Sequence, residues 1–75
     1  MGTPTEAVRE QLMASNEEYR RLRDEHARYK DQLSALSAKV YLSDAEQAEE
    51  VRLKKLKLRV KDQMEFLVRQ AQAVH

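Results

Sequence analysis

The stretch VRLKKLKLRVKDQM, residues 51–64, decides the fold of this chain. It mixes apolar and basic residues so closely that, taken alone, it suits a strand, a helix or a nucleic-acid-binding patch. The residues that follow favour the helix, because apolar side chains recur at steps of three and four to the end of the chain. This second-half stripe consists of Leu53, Leu56, Val60, Met64, Leu67, Ala71 and Val74. We therefore predict a helix over about residues 44–74.

The first half carries an apolar stripe of its own, with steps that alternate between four and three residues. This heptad spacing predicts a helix over about residues 4–41. Thr3, Pro4 and Glu6 favour a helix start there, as the cap, the first helical residue and the acid of a capping box. The stripe consists of Val8, Leu12, Ser15, Tyr19, Leu22, His26, Tyr29, Leu33, Leu36 and Val40.

The two stripes predict that the chain reverses direction between them. Continuing the first stripe past Val40 would place polar residues such as Ser43 in the core. A turn at about residues 41–44 lets the stripes face each other, and Ser43 with Glu46 forms a second capping box there. We predict an all-α fold, a long antiparallel two-helix hairpin that is coiled-coil-like and forms one domain over residues 1–75. One long bent helix in a larger coiled coil is the alternative.

Antiparallel pairing also predicts which residues meet, because the two numbers in each pair have a nearly constant sum. Residues near the middle of both stripes, such as Leu33, Leu53, Val60 and Leu67, should then be among the most buried. The predicted pairs are Leu33 with Leu53, Tyr29 with Leu56, His26 with Val60, Leu22 with Met64, Tyr19 with Leu67, and Leu12 with Val74.

Composition excludes several classes of protein. The chain of 75 residues has no Cys, so disulfides, thiolate metal sites and Cys nucleophiles are ruled out. Its formal net charge of +1 gives no strong overall attraction to nucleic acid or to acidic membranes. No apolar run is long enough to span a bilayer or to act as a secretory signal, so we predict no membrane association and a cytoplasmic location.

The basic segment from Arg52 to Lys61 has two interpretations. It could bind nucleic acid through its phosphates, with Lys54, Lys55, Lys57, Arg59 and Lys61 as the candidate anion-binding residues. A helical projection, however, divides these cations between two flanks of the apolar stripe. The competing interpretation is therefore that they are solvated and pair with Asp24, Glu25 and Asp31 on the first helix.

Two polar residues, His26 and Ser15, fall on the first apolar stripe. A catalytic histidine needs an oriented nucleophile or carboxylate in a concave pocket, and two helices offer little concavity. We interpret His26 and Ser15 as polar layers that fix the register of the helices, as a core Asn does in coiled coils. The sequence thus predicts no catalytic, metal-binding or cofactor-binding residue, and no enzyme.

Some apolar residues of the second helix remain without a partner within the chain. Val51 and Leu58 are one heptad apart and project away from the main stripe, and Phe66 lies between the two faces. With Met64, they form a predicted second interface. We expect self-association into a homodimeric helical bundle, or docking to another protein, while nucleic-acid binding stays the alternative function.

Both helices carry a further pattern, with Leu22, Asp24, His26 and Leu33 in the first. The second contributes Leu53-Lys54-Lys55, Lys57-Leu58, Lys61-Asp62, Met64 and Leu67. On these residues the chain resembles the YdcH-like family of short bacterial proteins, a domain of unknown function, over roughly residues 12–67. The resemblance implies short antiparallel helical hairpins and brings no activity or cofactor. Leu56 departs from the Glu or Gln frequent in that family, and Gln63 from its usual Glu.

Overall fold

The chain forms three α-helices in the computed structural model, which describes residues 4–73. They are α1 (Pro4–Ser15), α2 (Glu17–Ser37) and α3 (Asp44–Ala73). No strand occurs among the described residues, so the predicted all-α class is confirmed. The first helix begins at Pro4 as predicted, whereas the proposed cap Thr3 lies outside the described residues. No helix of residues 4–73 is long and apolar enough to cross a membrane.

The prediction of one continuous helix over residues 4–41 is wrong, because the helix is interrupted at Asn16. The backbone of Asn16 is extended, with φ −116° and ψ 109°. Its side-chain Oδ1 accepts a hydrogen bond of 2.9 Å from the backbone N–H of Tyr19, which makes Asn16 the N-cap of α2. Glu17 and Glu18 in the first turn favour this start, since anions stabilise a helix N-terminus.

The connection between α2 and α3 is longer than predicted and begins earlier. α2 ends at Ser37, and Val40, which the sequence placed in the packed stripe, is fully exposed. The connection covers residues 38–43, and no described residue has a positive φ. A reversal spread over six residues therefore needs no glycine in the left-handed conformation.

The predicted capping box at the start of α3 is confirmed. The N–H of Glu46 donates to Ser43 Oγ at 3.2 Å, and the N–H of Ser43 donates to Glu46 Oε1 at 3.1 Å. Lys39 Nζ adds an ion pair to Glu46 across the connection. These contacts satisfy backbone donors that the first turn of α3 would otherwise leave unpaired, and they tie the end of α2 to the start of α3.

The seam between α2 and α3 holds the most deeply buried side chains. Leu22 and Val60 are each 4% exposed and Leu53 is 2% exposed. The predicted burial of Leu53 and Val60 is confirmed. Leu33 and Leu67 are only half-buried, so their predicted rank is wrong.

A second cluster forms where α1 lies against α3. Val8, Leu12, Tyr19 and Val68 are buried together, and Met13, Met64, Leu67 and Ala71 pack around them. Gln72 Nε2 also donates to Thr5 Oγ1 at 3.1 Å.

The position of α1 differs from a straight continuation of α2. The predicted register would place the partner of Thr5 beyond residue 75. In the structure Thr5 instead contacts Gln72, because the helix breaks at Asn16. This displacement buries Val68, which the sequence did not place on the stripe. The predicted pair of Leu12 with Val74 lies outside the described residues.

Candidate functional site

Three large apolar residues lie in water along one side of α3. Val51 is 51% exposed, Leu58 is 59% exposed and Phe66 is 57% exposed. At about 100° per residue they project within roughly 80° of one another, away from the buried side that carries Leu53 and Val60. We call Val51, Leu58 and Phe66 the apolar strip. These are three of the four predicted interface residues.

Met64, the fourth predicted interface residue, lies elsewhere. It is half-buried and packs against the cluster that holds Tyr19 and Val68. Its position on the inner side of α3 follows from the same helical projection, which places it far from Leu58. Met64 therefore belongs to the packing between helices in this chain and not to the apolar strip.

A shallow groove of about 670 Å³ runs beside the apolar strip. Leu58 and Phe66 contribute its apolar surface, and Lys55, Arg59 and Asp62 lie along its edges. The groove thus combines exposed apolar area with charges of both signs. This combination suits a protein surface better than a phosphate backbone, which would meet Asp62 with repulsion.

The first cations of the basic segment are paired within α3. The guanidinium of Arg52 donates to Glu49, with Nε to Oε2 at 2.9 Å, and Lys54 Nζ lies 3.6 Å from Glu50 Oε1. The hydrogen bond from Arg52 lowers the pKa of Glu49, and the same bond raises the pKa of Arg52. Both pairs join residues of one helix and are exposed, so their contribution to stability is small.

The predicted pairing between helices is not formed. Asp24, Glu25 and Asp31 make no ion pair with any other residue of the described part of the chain. The acids of α3 itself lie one turn from Arg52 and Lys54, and a pair within one helix needs no alignment of two helices.

The remaining basic residues divide between the two flanks of α3, as the helical projection predicts. Lys55 and Arg59 border the groove beside the apolar strip. Lys57 and Lys61 face the opposite flank and line a cleft with His26. The five candidate anion-binding residues therefore do not form one surface, and Lys54 is engaged with Glu50.

His26 is half-buried at the edge of this cleft. Partial burial lowers its pKa, because desolvation disfavours the charged imidazolium, and the nearby cations Lys57, Lys30 and Lys61 lower it further. Its predicted position between the helices thus agrees with the structure, and its role in fixing register stays a prediction.

Ser15 lies outside the packed seam. It is exposed, and its hydroxyl donates to the carbonyl of Gln11 at 2.8 Å within α1. Its predicted place in a polar layer is wrong, because α1 ends at Ser15 and the extended Asn16 turns the following helix.

Two cationic residues near His26 were not predicted from the sequence. Lys30 follows His26 by one helical turn, so the spacing alone could have identified it. Arg9 lines the same cleft from α1. Its approach depends on the break at Asn16, and no heptad pattern signals that geometry. Within residues 4–73, no group of three His, Asp or Glu side chains is placed to hold a metal ion.

Comparison with known protein families gives a match. A family described as Protein of unknown function (DUF465) matches residues 20–68, about two thirds of the chain. The matched segment contains almost all of α2, the connection and most of α3, and it leaves out α1. No curated protein and no solved structure matches the chain.

Proposed function

We propose that this chain, which belongs to the DUF465 family, is a non-enzymatic protein-interaction module. In this proposal the chain is an antiparallel helical hairpin that self-associates through α3 into a homodimeric bundle. Membership of the family confirms the resemblance to YdcH-like proteins that the sequence predicted. It assigns no activity, so the argument for function rests on the surface of the chain.

The hairpin is supported by the order of the contacts along the helices. Within the connection, Lys39 pairs with Glu46 at the start of α3. Halfway along, His26 lies close to Lys57 and Lys61. As the residue numbers on α3 increase, the residue numbers of their partners before the connection decrease. This is the pattern of antiparallel neighbours.

The apolar strip is the observation that carries the proposal. The molecule measures 50 × 22 × 18 Å, so it is about two helix diameters wide. Within residues 4–73, such a thin structure has no third layer to cover the outer side of α3. A lone exposed apolar side chain has no significance, but Val51, Leu58 and Phe66 are each more than half exposed and lie on one side of one helix.

The charges beside the apolar strip suit a second copy of the same surface. In a symmetric dimer both copies use the same patch. Each residue must therefore be compatible with the residue that lies opposite it in the other copy, across the two-fold axis. With an axis beside Leu58 and α3 antiparallel to its copy, Val51 of one copy lies opposite Phe66 of the other. Lys55 then lies opposite Asp62, a cation with an anion, while Leu58 lies beside the axis opposite the aliphatic stem of Arg59.

The test replaces Leu58 by Glu and measures mass by light scattering and sedimentation over a range of concentrations. We expect the wild type to reach twice its chain mass of 8.8 kDa and Leu58→Glu to remain at the chain mass. The substitution would bury a carboxylate at the axis and place a second one against it. Gln32→Glu on α2 is the matched control, because it adds the same charge at an exposed position that lies outside the apolar strip and its groove.

The proposal fails if the wild type stays at the chain mass at every concentration. It also fails if Leu58→Glu and Gln32→Glu have the same mass as the wild type. Circular dichroism of each variant establishes that the helices are retained, so that a loss of association is not confused with unfolding.

Nucleic-acid binding through residues 52–61 is the less well supported function. Arg52 and Lys54 are paired with Glu49 and Glu50, and the other cations are divided between two flanks of α3. Binding through phosphates would weaken steeply with added salt, so a salt series with single-stranded and duplex oligonucleotides tests this alternative directly.

A further inference from the structure

Cations from all three helices converge on the cleft beside His26. The cleft has a volume of about 340 Å³, near the lower end of the range of small-molecule sites, roughly 300–1,000 Å³. We call it the basic cleft. Arg9 comes from α1, Lys30 from α2, and Lys57 and Lys61 from α3. Glu65 is the acid that lines it, and the carboxylate of Glu65 lies 3.9 Å from the guanidinium of Arg69.

The four cations have no acidic partner in the described part of the chain. Arg9, Lys30, Lys57 and Lys61 form no ion pair there, although the same chain pairs Arg52, Lys54 and Arg69 with acids one turn away. Four cations beside a single acid, Glu65, repel one another and disfavour the compact state. A cleft lined mainly by one sign of charge attracts ions of the opposite sign, so a ligand can supply the missing charge.

We propose that the basic cleft binds a small phosphorylated molecule with at least two negative charges, whose phosphate oxygens are held by Arg9, Lys30, Lys57 and Lys61. Phosphate accepts hydrogen bonds from both ammonium and guanidinium groups, and two or more charges match the local excess of cations. This site goes beyond the proposed self-association. Lys57 and Lys61 also border Leu58 of the apolar strip, whereas Arg9 and Lys30 come from the other two helices, so a variant of Arg9 tests the site without changing the strip.

The other residues of the basic cleft favour a small anion over a nucleic-acid strand. Single strands are bound by a basic groove that follows the backbone, with aromatic rings on which bases stack. Tyr19 is the aromatic side chain in this cleft, and at 4% exposure it has no ring face free for stacking. The cleft therefore recognises the phosphate group and not the base.

Anion binding in the basic cleft is coupled to protonation of the His26 imidazole. The groups that face it are Arg9 from α1, Lys30 from α2, and Lys57, Lys61 and Glu65 from α3. An anion in the cleft stabilises the imidazolium and so raises the pKa of His26 from its lowered value. Binding then takes up protons at His26, which adds to the affinity at pH values where the phosphate group, with its own second pKa of about 6, is still doubly ionised.

The test uses inorganic pyrophosphate as the probe, titrated into the full chain at low ionic strength and followed by calorimetry and by NMR of the histidine ring protons. We expect saturable binding that weakens with salt, and an increase in the pKa of His26 when the probe is bound. A His75→Gln background leaves the resonance of His26 as the one histidine signal.

Two double variants with the same change of charge locate the site. Lys57→Gln with Lys61→Gln should weaken pyrophosphate binding at least about tenfold, because hydrogen bonds to charged groups are worth more than that factor. Lys55→Gln with Arg59→Gln, on the opposite flank, should change it less than about threefold. Arg9→Gln alone should also weaken binding, which tests the contribution of α1 and guards against misfolding of the double variant.

Three results would overturn the proposal. One is the absence of saturable binding at low salt. The second is an equal loss of affinity in both double variants, which would mean a diffuse electrostatic attraction. The third is an oligonucleotide that binds through the same lysines and is not displaced by pyrophosphate, which would make the cleft part of a nucleic-acid surface.

Discussion

Replacing Leu53 by Ala is expected to remove most of the stability of the chain. At 2% exposure Leu53 is the one large side chain that is completely buried in the described residues. Truncation of a buried leucine costs about 2–5 kcal/mol, through lost apolar burial and the cavity left behind. A single core of this size supplies roughly 3–5 kcal/mol of stability in total. A loss of about 3 kcal/mol would therefore leave little of the free energy of unfolding.

The assay is urea unfolding followed by helical circular dichroism, at several low protein concentrations so that self-association adds little. With a slope of about 1 kcal/mol per molar urea for a small protein, the midpoint should fall by about 3 M. Leu58→Ala is the matched control. Because Leu58 is 59% exposed, its truncation should change the free energy of unfolding of the monomer by less than about 0.5 kcal/mol.

The reasoning is refuted if Leu53→Ala costs less than about 1 kcal/mol, or if Leu58→Ala costs as much. Either result would mean that α3 turns a different side toward α2. The apolar strip would then be part of the core, and the argument for self-association would lose its basis.

Two further expectations concern the caps and the break. Asn16→Ala should lower the free energy of unfolding by about 1 kcal/mol and increase the distance between spin labels at residues 5 and 72, whereas Asn16→Asp should preserve both, because Asp also caps. The hydrogen bond from Lys39, followed by that from the Ser43 N–H, lowers the pKa of Glu46 to about 2. A carboxyl group with a lowered pKa in the folded state stabilises above its ordinary pKa and loses this effect as the pH falls to about 2. The difference in melting temperature between wild type and Glu46→Gln should therefore be present at pH 6 and vanish near pH 2, and a difference that persists at pH 2 would contradict this assignment.

Local chemistry made parts of this fold predictable. The start of α3 was correct because Ser43 and Glu46 form a capping box within four residues. The burial of Leu53 and Val60 followed from their spacing. The break at Asn16 also had a local signal, Asn followed by two glutamates, but the regular stripe on both sides masked it.

Other features depend on how the helices lie against each other, which spacing along the chain does not encode. Val68 is buried because α1 crosses the end of α3. Arg9 reaches the basic cleft for the same reason, whereas Lys57 and Lys61 could be assigned to one flank from the helical projection alone. The apolar strip was predicted for Val51, Leu58 and Phe66, whereas Met64 was misplaced, although its phase next to Leu53 and Val60 assigns it to the inner side of α3.

The break at Asn16 makes α1 a unit that can open by itself. A helix of 12 residues is marginal in water, so α1 stays folded through Val8 and Leu12, which rest on Val68. Detaching it breaks these contacts and leaves the seam around Leu53 intact. Amide protons of α1 should therefore exchange with solvent through a local opening, well before those at the centre of α3. Since Arg9 belongs to α1, an anion held in the basic cleft would slow the exchange of these amide protons. Without the anion, α1 would alternate between a docked and an open state.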